Sequence, residues 1–555
     1  MHQSSTVFFY SKFKPLEIRS GNFTIYLQGK PNQLKNTKSS EDWIKEVKKS
    51  LKGSNLRPEV VLTRILKNST GLFSLVLKSE NEWIIAGDVI RSYPLFYGFH
   101  HNKLFITDNL EEFQKENRPL AIDYERFEEF FVTGLVYGNK TIYKNVYGLQ
   151  AGEIISIHDN DINSERYFVF EPVDKPIYYD DLDEFTKAFD NLFMVVFSRM
   201  IKQNPHVNRW VIPLSGGHDS RLIVNYLYRL GVKNVICFSY GTPNNEQARI
   251  SKQVAEAVGY DWYFIEYTEQ KWKALHDSGL FDDYISFAFN GVSTPHLQDF
   301  LAVYELKRQG IIDIDDIILP GHSVVTVDVF DENTLKLKTE EESLNYVYSK
   351  IKTMTNKSRK EVPIHMVLRN MYYESKTTPE NFMAFCDWQE RQSKYITNSI
   401  RVYEFFGFET IQPMWDKEMV DFWLSIPAEE RVSREPLYHT EKQCALVEQL
   451  ACIPYANENH KFLLSIISKK LIPNYLAAVF LRLTRRRVKL NEGLNLIYDL
   501  KAKTVKNLLD PVEDFPQVTV PYFKRYFLRH TYQMDPYILT TLYTLRNMID
   551  RRIIL

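Results

Sequence analysis

Ser215-Gly216-Gly217-His218-Asp219-Ser220 constrains this chain more than any other stretch. The apolar run at 210–214 precedes it, and Leu222, Ile223, Leu227 and Leu230 follow at helical spacing. A strand that turns through two glycines into a helix N-terminus aims several backbone N–H groups at one point, which makes an anion-binding nest. Glycine lets the main chain approach a ligand with no Cβ in the way. Ser215 and Ser220 add hydroxyl donors, and Asp219 adds a carboxylate able to hold Mg2+ beside phosphate groups. The spacing differs from GxxxxGK[ST], which excludes the kinase-type and GTPase-type phosphate loop.

At 555 residues the chain exceeds one small core, so two or three domains are expected. A net charge of -1 supplies no bulk field for nucleic acid or a membrane surface, so neither partner is expected. Cys237, Cys386, Cys444 and Cys452 are scattered without a CxxC pair. That pattern argues against a cysteine-rich zinc site and a disulfide scaffold, and it fits a reducing, cytoplasmic setting. The first residues show no signal-peptide core, and no uncharged apolar stretch approaches membrane-spanning length, so no transmembrane segment is expected.

Residues 1–155 read as short strands at 23–27, 72–77, 83–87, 95–99 and 103–107, with helices at 42–51 and 59–66. This spacing predicts antiparallel sheet. Beyond the nest, a strand at 235–240, a helix at 246–258 and a further apolar strand at 317–320 predict a parallel α/β sheet. Ligands in such sheets bind at the carboxyl ends of the strands, where 215–220 and 238–241 fall. A charged-aromatic helix is expected at 388–396. Residues 451–555 read as a helical C-terminal extension, with a basic cluster at 482–489 expected to be a solvated face.

The hexapeptide resembles the SGGxDS pyrophosphate loop of the ATP pyrophosphatases, and within that superfamily the chain resembles the asparagine synthetases. Gly71-Leu72-Phe73, Ala86-Gly87-Asp88 and Pro94-Leu95-Phe96-Tyr97 resemble the class II glutamine amidotransferase domain of that family, and Thr141-Ile142-Tyr143 its approach to the synthetase part. Glu409, Pro413 and Asp416 are similar to the E-x-R-x-P-F-L-D motif, with Ile411 in place of its arginine. The resemblance implies an α/β fold: an ATP-pyrophosphatase (adenine nucleotide alpha hydrolase-like) parallel sheet with added helices at 190–450, preceded by an antiparallel α+β Ntn-type domain at 1–155. It also implies ATP and Mg2+ as cofactors. Ser215, Gly216, Gly217, His218, Asp219, Ser220, Gly321, His322 and Ser323 then face phosphates, and Asp219 faces the metal. Phe238, Ser239 and Tyr240 lie on the nucleotide side, or are strand-end core. Glu409 and Lys442 become catalytic candidates, or structural and surface charges, and Arg391 and Lys394 possible pocket cations.

Three departures accompany the resemblance. Residue 2 is His2 where the family's glutaminase has its nucleophilic cysteine, and the first cysteine here is Cys237. Gly87 replaces an arginine. Val325-Thr326 replaces an Asp-Glu pair, with Asp328 and Asp331 nearby. The implied activity is an adenylating, amide-bond-forming ligase that joins a small-molecule carboxylate to ammonia or an amine, with AMP and pyrophosphate as products. Its nitrogen would come from solution or from a separate ammonia-supplying or glycan-biosynthesis partner, and a surface polysaccharide is one destination. The alternative is a catalytically degenerate nucleotide-binding or scaffold protein in a biosynthetic complex.

Overall fold

A computed structural model describes residues 6–11, 13–33, 40–80, 82–101, 103–117, 119–158, 161–173, 176–177, 182–324, 332–351, 364–433, 445–456 and 544. The first strands in chain order are β1 (Thr6–Phe8), β2 (Leu16–Ser20), β3 (Phe23–Gly29), β4 (Asn32–Gln33), β5 (Ser69–Thr70) and β6 (Phe73–Lys78). β7 (Glu82–Gly87), β8 (Phe96–His100), β9 (Lys103–Thr107), β10 (Val146–Gly148), β11 (Glu153–His158) and β12 (Asp161–Arg166) follow. One sheet runs β12-β11-β7-β6-β3-β2 and is antiparallel throughout. The other runs β1-β9-β8-β10. There the expected antiparallel pattern fails at one edge, where β1 lies parallel to β9.

Strand side chains alternate between faces, and the sequence uses both. Val76, Ile85 and Ile155 of the larger sheet meet Tyr97, Leu104 and Ile106 of the smaller one. Their neighbours Leu75, Leu77, Ile84 and Ile154 pack on helices Ser40–Gly53 and Pro58–Lys67 through Trp43, Val47, Leu62 and Leu66. Phe96 and Phe105 turn the other way, onto helices Leu110–Glu116 and Tyr124–Thr133. The result is four layers: helix, sheet, sheet, helix.

A separate five-stranded sheet comprises β13 (Trp210–Pro213), β14 (Val235–Gly241), β15 (Asp261–Glu266), β16 (Ile317–Ile318) and β17 (Glu409–Thr410). All its pairings are parallel, in the order β15-β14-β13-β16-β17. The strand order therefore reverses between β13 and β16, the position at whose carboxyl ends such sheets bind their ligands. Val211, Ile236 and Phe238 point into one apolar cluster, while Trp210, Ile212 and Cys237 point into another. Helices cover both faces, as a buried parallel sheet requires.

Two seams join these units. The stretch expected as a charged-aromatic helix is a π-helix, Asp387–Ile396, and most of it is buried. Its Trp388 Nε1 donates to Val89 O at 2.7 Å, and its Gln389 Nε2 donates to Ala151 O at 3.3 Å. Gly138 N donates to Glu390 Oε1 at 3.0 Å, and Lys394 Nζ donates to Val136 O and Gly138 O at 2.7 Å each while pairing with Glu390. The second seam centres on Asp416, which accepts from Thr70 Oγ1 at 2.6 Å, from Arg199 Nη2 at 2.8 Å and from Glu418 N at 3.0 Å. No helix among the described residues is long and apolar enough to cross a membrane.

Arg199 is buried and also reaches Glu418 at 3.0 Å, so Arg199→Met strands two enclosed carboxylates. Such a loss costs about 3 kcal/mol or more, whereas Thr70→Val removes one hydroxyl that donates to the carboxylate and accepts from Lys417 N, worth about 2 kcal/mol. Both variants should melt below the wild type, Arg199→Met below Thr70→Val. Equal melting curves would show that Asp416 does not hold the seam.

Candidate functional site

The 215–220 loop leaves β13 at the strand reversal and enters helix Asp219–Arg229. Its partner loop, 321–323, leaves β16 beside it. The two touch: a Cβ on Gly321 would lie 3.1 Å from Ser220 N. Ser239 and Tyr240 sit at the carboxyl end of β14, the neighbour of β13 on the other side. Most of the residues expected around phosphates thus share one end of the sheet.

The loop is largely bonded to the rest of the protein. Ser215 N donates to Ser220 Oγ at 3.1 Å, Gly217 N to Ser215 Oγ at 3.2 Å, and Gly216 N to Gln247 Oε1 at 2.6 Å. The two serine hydroxyl oxygens are 3.1 Å apart. Gly216 O accepts from Ala456 N at 2.9 Å. A Cβ on Gly216 would come 2.9 Å from the Ala456 Cβ, so this glycine is required by protein packing. His218 stacks on Tyr455 with ring centroids 3.9 Å apart, and the Arg221 guanidinium covers the same ring at 3.8 Å. Arg221 is fully buried and donates to Ile453 O at 2.6 Å and to Pro454 O at 2.9 Å. The short stretch 453–456 is therefore strapped across the loop.

His322 has a definite partner. Ser399 Oγ donates its hydrogen to Ile396 O at 2.6 Å and so accepts from His322 Nε2 at 2.7 Å. That leaves the lone pair on Nδ1, which is enclosed without a partner. The ring stacks on Trp415 at 5.0 Å. Tyr240 shares Asp299 with Tyr403, both hydroxyls donating to that carboxylate. Burial, then Asp299, raises the Tyr240 phenol well above its ordinary range, so it stays a neutral donor. Phe238 is completely enclosed in the core.

Glu409 is not brought to the nest. It pairs in register with Ile317, and Ile317 with Trp210, at the level where β13 begins. Ser215 lies about 15 Å further along the strand direction. Glu409 forms a partly exposed ion pair with Lys30 at 2.9 Å, in a cleft of about 70 Å³ shared with Tyr93, Arg199, Gln203 and Asn204. Lys394 is buried in the π-helix seam, and Arg391 is half exposed, 3.7 Å from Asp387. Lys442, Val325, Thr326, Asp328, Asp331, the 482–489 cluster and, apart from 451–456 and 544, the C-terminal extension lie outside the described residues. Among the described residues no group of three or more His, Cys, Asp or Glu is arranged to hold a metal ion.

In the first unit, Asp88 accepts from Phe73 N at 2.8 Å, from Ile90 N at 2.9 Å and from Ser92 N at 3.2 Å. It shapes the turn that leads to β8. Gly87 lies against Leu149, whose Cδ2 would be 3.1 Å from an added Cβ. A longer side chain at 87 has to displace Leu149.

Residues 60–168 match a family described as a glutamine amidotransferase domain. No curated protein matches the chain. Among solved structures, the chain is similar to a glutamine phosphoribosylpyrophosphate amidotransferase from B. subtilis complexed with ADP and GMP. That match has 14% identity over 46% of this chain and 74% of that one, with a TM-score of 0.20. A structure titled as the allosteric regulatory enzyme of purine biosynthesis matches at 14% identity over 46% of this chain and 63% of that one, with a TM-score of 0.20. The NMN synthetase from Francisella tularensis matches at 13% identity over 41% of this chain and 93% of that one, again with a TM-score of 0.20. Likenesses this weak carry no argument about activity.

Gln247, Ser399, Tyr455 and Ala456 all touch the site and escape the sequence. Each reaches the site from a distant part of the chain, with no local pattern to mark it.

Burial, then His296, pushes the His322 imidazole down to about 3. An unfolded chain binds this proton near an ordinary pKa of about 6.5, and the folded chain does not. The contribution to stability is therefore full above that value and is lost as the pH falls towards about 3. Melting temperature should fall between about pH 6.5 and about pH 5, and His322→Asn should flatten that fall. An unchanged slope in the variant would show that the ring is solvated.

Proposed function

We propose that this protein is an ATP-dependent, adenylating, carbon–nitrogen bond-forming ligase of asparagine synthetase-like type. One observation supports it above the others: the Ser-Gly-Gly-His-Asp-Ser loop stands at the strand reversal of a five-stranded parallel sheet, with the 321–323 loop against it. In this reading the helix N-terminus at Asp219 and the hydroxyls of Ser215 and Ser220 receive the phosphates. Asp219 suits Mg2+, because this ion is commonly held by one or two carboxylates together with substrate phosphates. Bound there, the ion supplies neutralisation of phosphate charge. A substrate carboxylate attacks the α-phosphorus, pyrophosphate leaves, and an amine then displaces AMP. Ser239 and Tyr240 flank the nucleotide.

The nitrogen in this reading is ammonia or an amine taken from outside the chain. No cysteine precedes Cys237 in the sequence, and Gly87 with Leu149 stands where the resembling family has an arginine. The amidotransferase-like unit then serves as a docking partner for the ligase part. A second reading, a nucleotide-binding scaffold without turnover, is favoured by one feature: the N–H groups of Ser215, Gly216 and Gly217 already have protein partners.

Pyrophosphate release from Mg-ATP, measured across a panel of carboxylates with ammonium or with glutamine, separates these readings. The ligase predicts release that depends on one carboxylate, proceeds with ammonium, stays absent with glutamine alone, and drops at least tenfold in Asp219→Ala. ATP binding without release across the panel would favour the scaffold.

A further inference from the structure

A small cavity of about 20 Å³ lies between the two units, lined by Arg91, Asn290, Lys394, Thr397, Asn398 and Arg401. It is separate from the nest, and neither reading of the function uses it. Arg91 is 4% exposed, yet its Nε and Nη2 have no hydrogen-bond partner. Its one bond is a long one, Nη1 to Ser393 O at 3.4 Å. Arg401 Nε is enclosed without a partner as well.

The carboxylates near the cavity are bonded to groups other than Arg91. Lys394 is paired with Glu390, and Arg401 with Glu404. The further carboxylate near Arg91, Glu153, is bonded to Gln150 N at 2.7 Å and to Ser164 Oγ at 2.6 Å. None of these three carboxylates makes a hydrogen bond to Arg91, so its Nε and Nη2 donors stay unsatisfied inside the cavity wall. A guanidinium keeps its proton when buried; burial lowers this one to about 10, still charged at neutral pH. Buried charged donors left without a hydrogen-bond partner are strongly disfavoured.

The backbone at Arg91 is also unusual. Its φ is +61°, in the left-handed region that favours glycine. An arginine is kept at a strained position and aimed into a space large enough for a single water-sized or chloride-sized occupant. We infer that this cavity binds one monovalent anion of about chloride's size, held by the unbonded N–H groups of Arg91 and Arg401, and that the anion ties the amidotransferase-like unit to the ligase part.

The experiment uses the full chain, melted in sodium chloride, bromide or gluconate at matched ionic strength. Chloride and bromide should raise the melting temperature along a curve that levels off as the site fills, and gluconate, too large for the cavity, should not. Arg91→Gly suits the backbone and should abolish the halide effect. Crystals soaked in bromide should show an anomalous peak within hydrogen-bond distance of Arg91, a readout that does not depend on the variant folding. Superimposable melts in chloride and gluconate, a halide effect that survives Arg91→Gly, or a cavity holding only water would each overturn the inference.

Discussion

The Lys394–Glu390 pair is the interaction on which the joined arrangement depends. An ammonium group has three protons to place, and here it places them on Val136 O, Gly138 O and Glu390. Glu390 in turn accepts from Gly138 N. Burial lowers the lysine and raises the glutamate from their ordinary values, so each needs the other to stay charged. A buried pair contributes little net stability, but every one of its bonds must be made, and that fixes geometry. The 136–138 segment cannot move from the π-helix without leaving both charges unpaired. The wider helical winding also places Ser393 O within reach of Thr397 Oγ1 at 2.7 Å as well as Arg91.

The run from Glu409 to Asp416 shows how motif similarity and location can diverge. Its residues are distributed along an edge strand and the turn after it. Glu409 reaches Lys30 in the first unit, and Asp416 reaches Thr70 in the same unit together with Arg199. Trp415, between them, supports His322 at the strand reversal. One short stretch therefore braces the domain seam at both ends and the 321–323 loop in the middle. Such residues can be required for activity without touching a substrate.

Much of the architecture was legible because period-two and helical patterns are local. The strands at 23–27, 72–77, 83–87, 95–99 and 103–107 and both early helices stand within two residues of where the sequence put them. The 215–220 turn was legible because glycines between an apolar run and a helix have few other uses. The position of Glu409 was not legible because it depends on register across three strands, which no local pattern carries. The burial of 388–396 was hidden for a related reason. Its charges look solvated until the partner carbonyls from the first unit are present. β1 joined a sheet edge in parallel because β9 offered unpaired groups there, which is a tertiary fact.

The strap of Tyr455 and Ala456 over the glycine turn has a consequence for how this site can be inherited. The peptide between Gly216 and Gly217 is oriented by the amide of Ala456, more than two hundred residues further along the chain, and the Tyr455 ring beside it is gripped by an arginine from the helix the turn begins. The hexapeptide supplies the composition of a phosphate loop, while its shape is imposed from outside. Grafted alone onto another parallel sheet, those six residues would be free to settle into a different turn. Within this chain, change in the distal segment can retune the turn while leaving its sequence untouched.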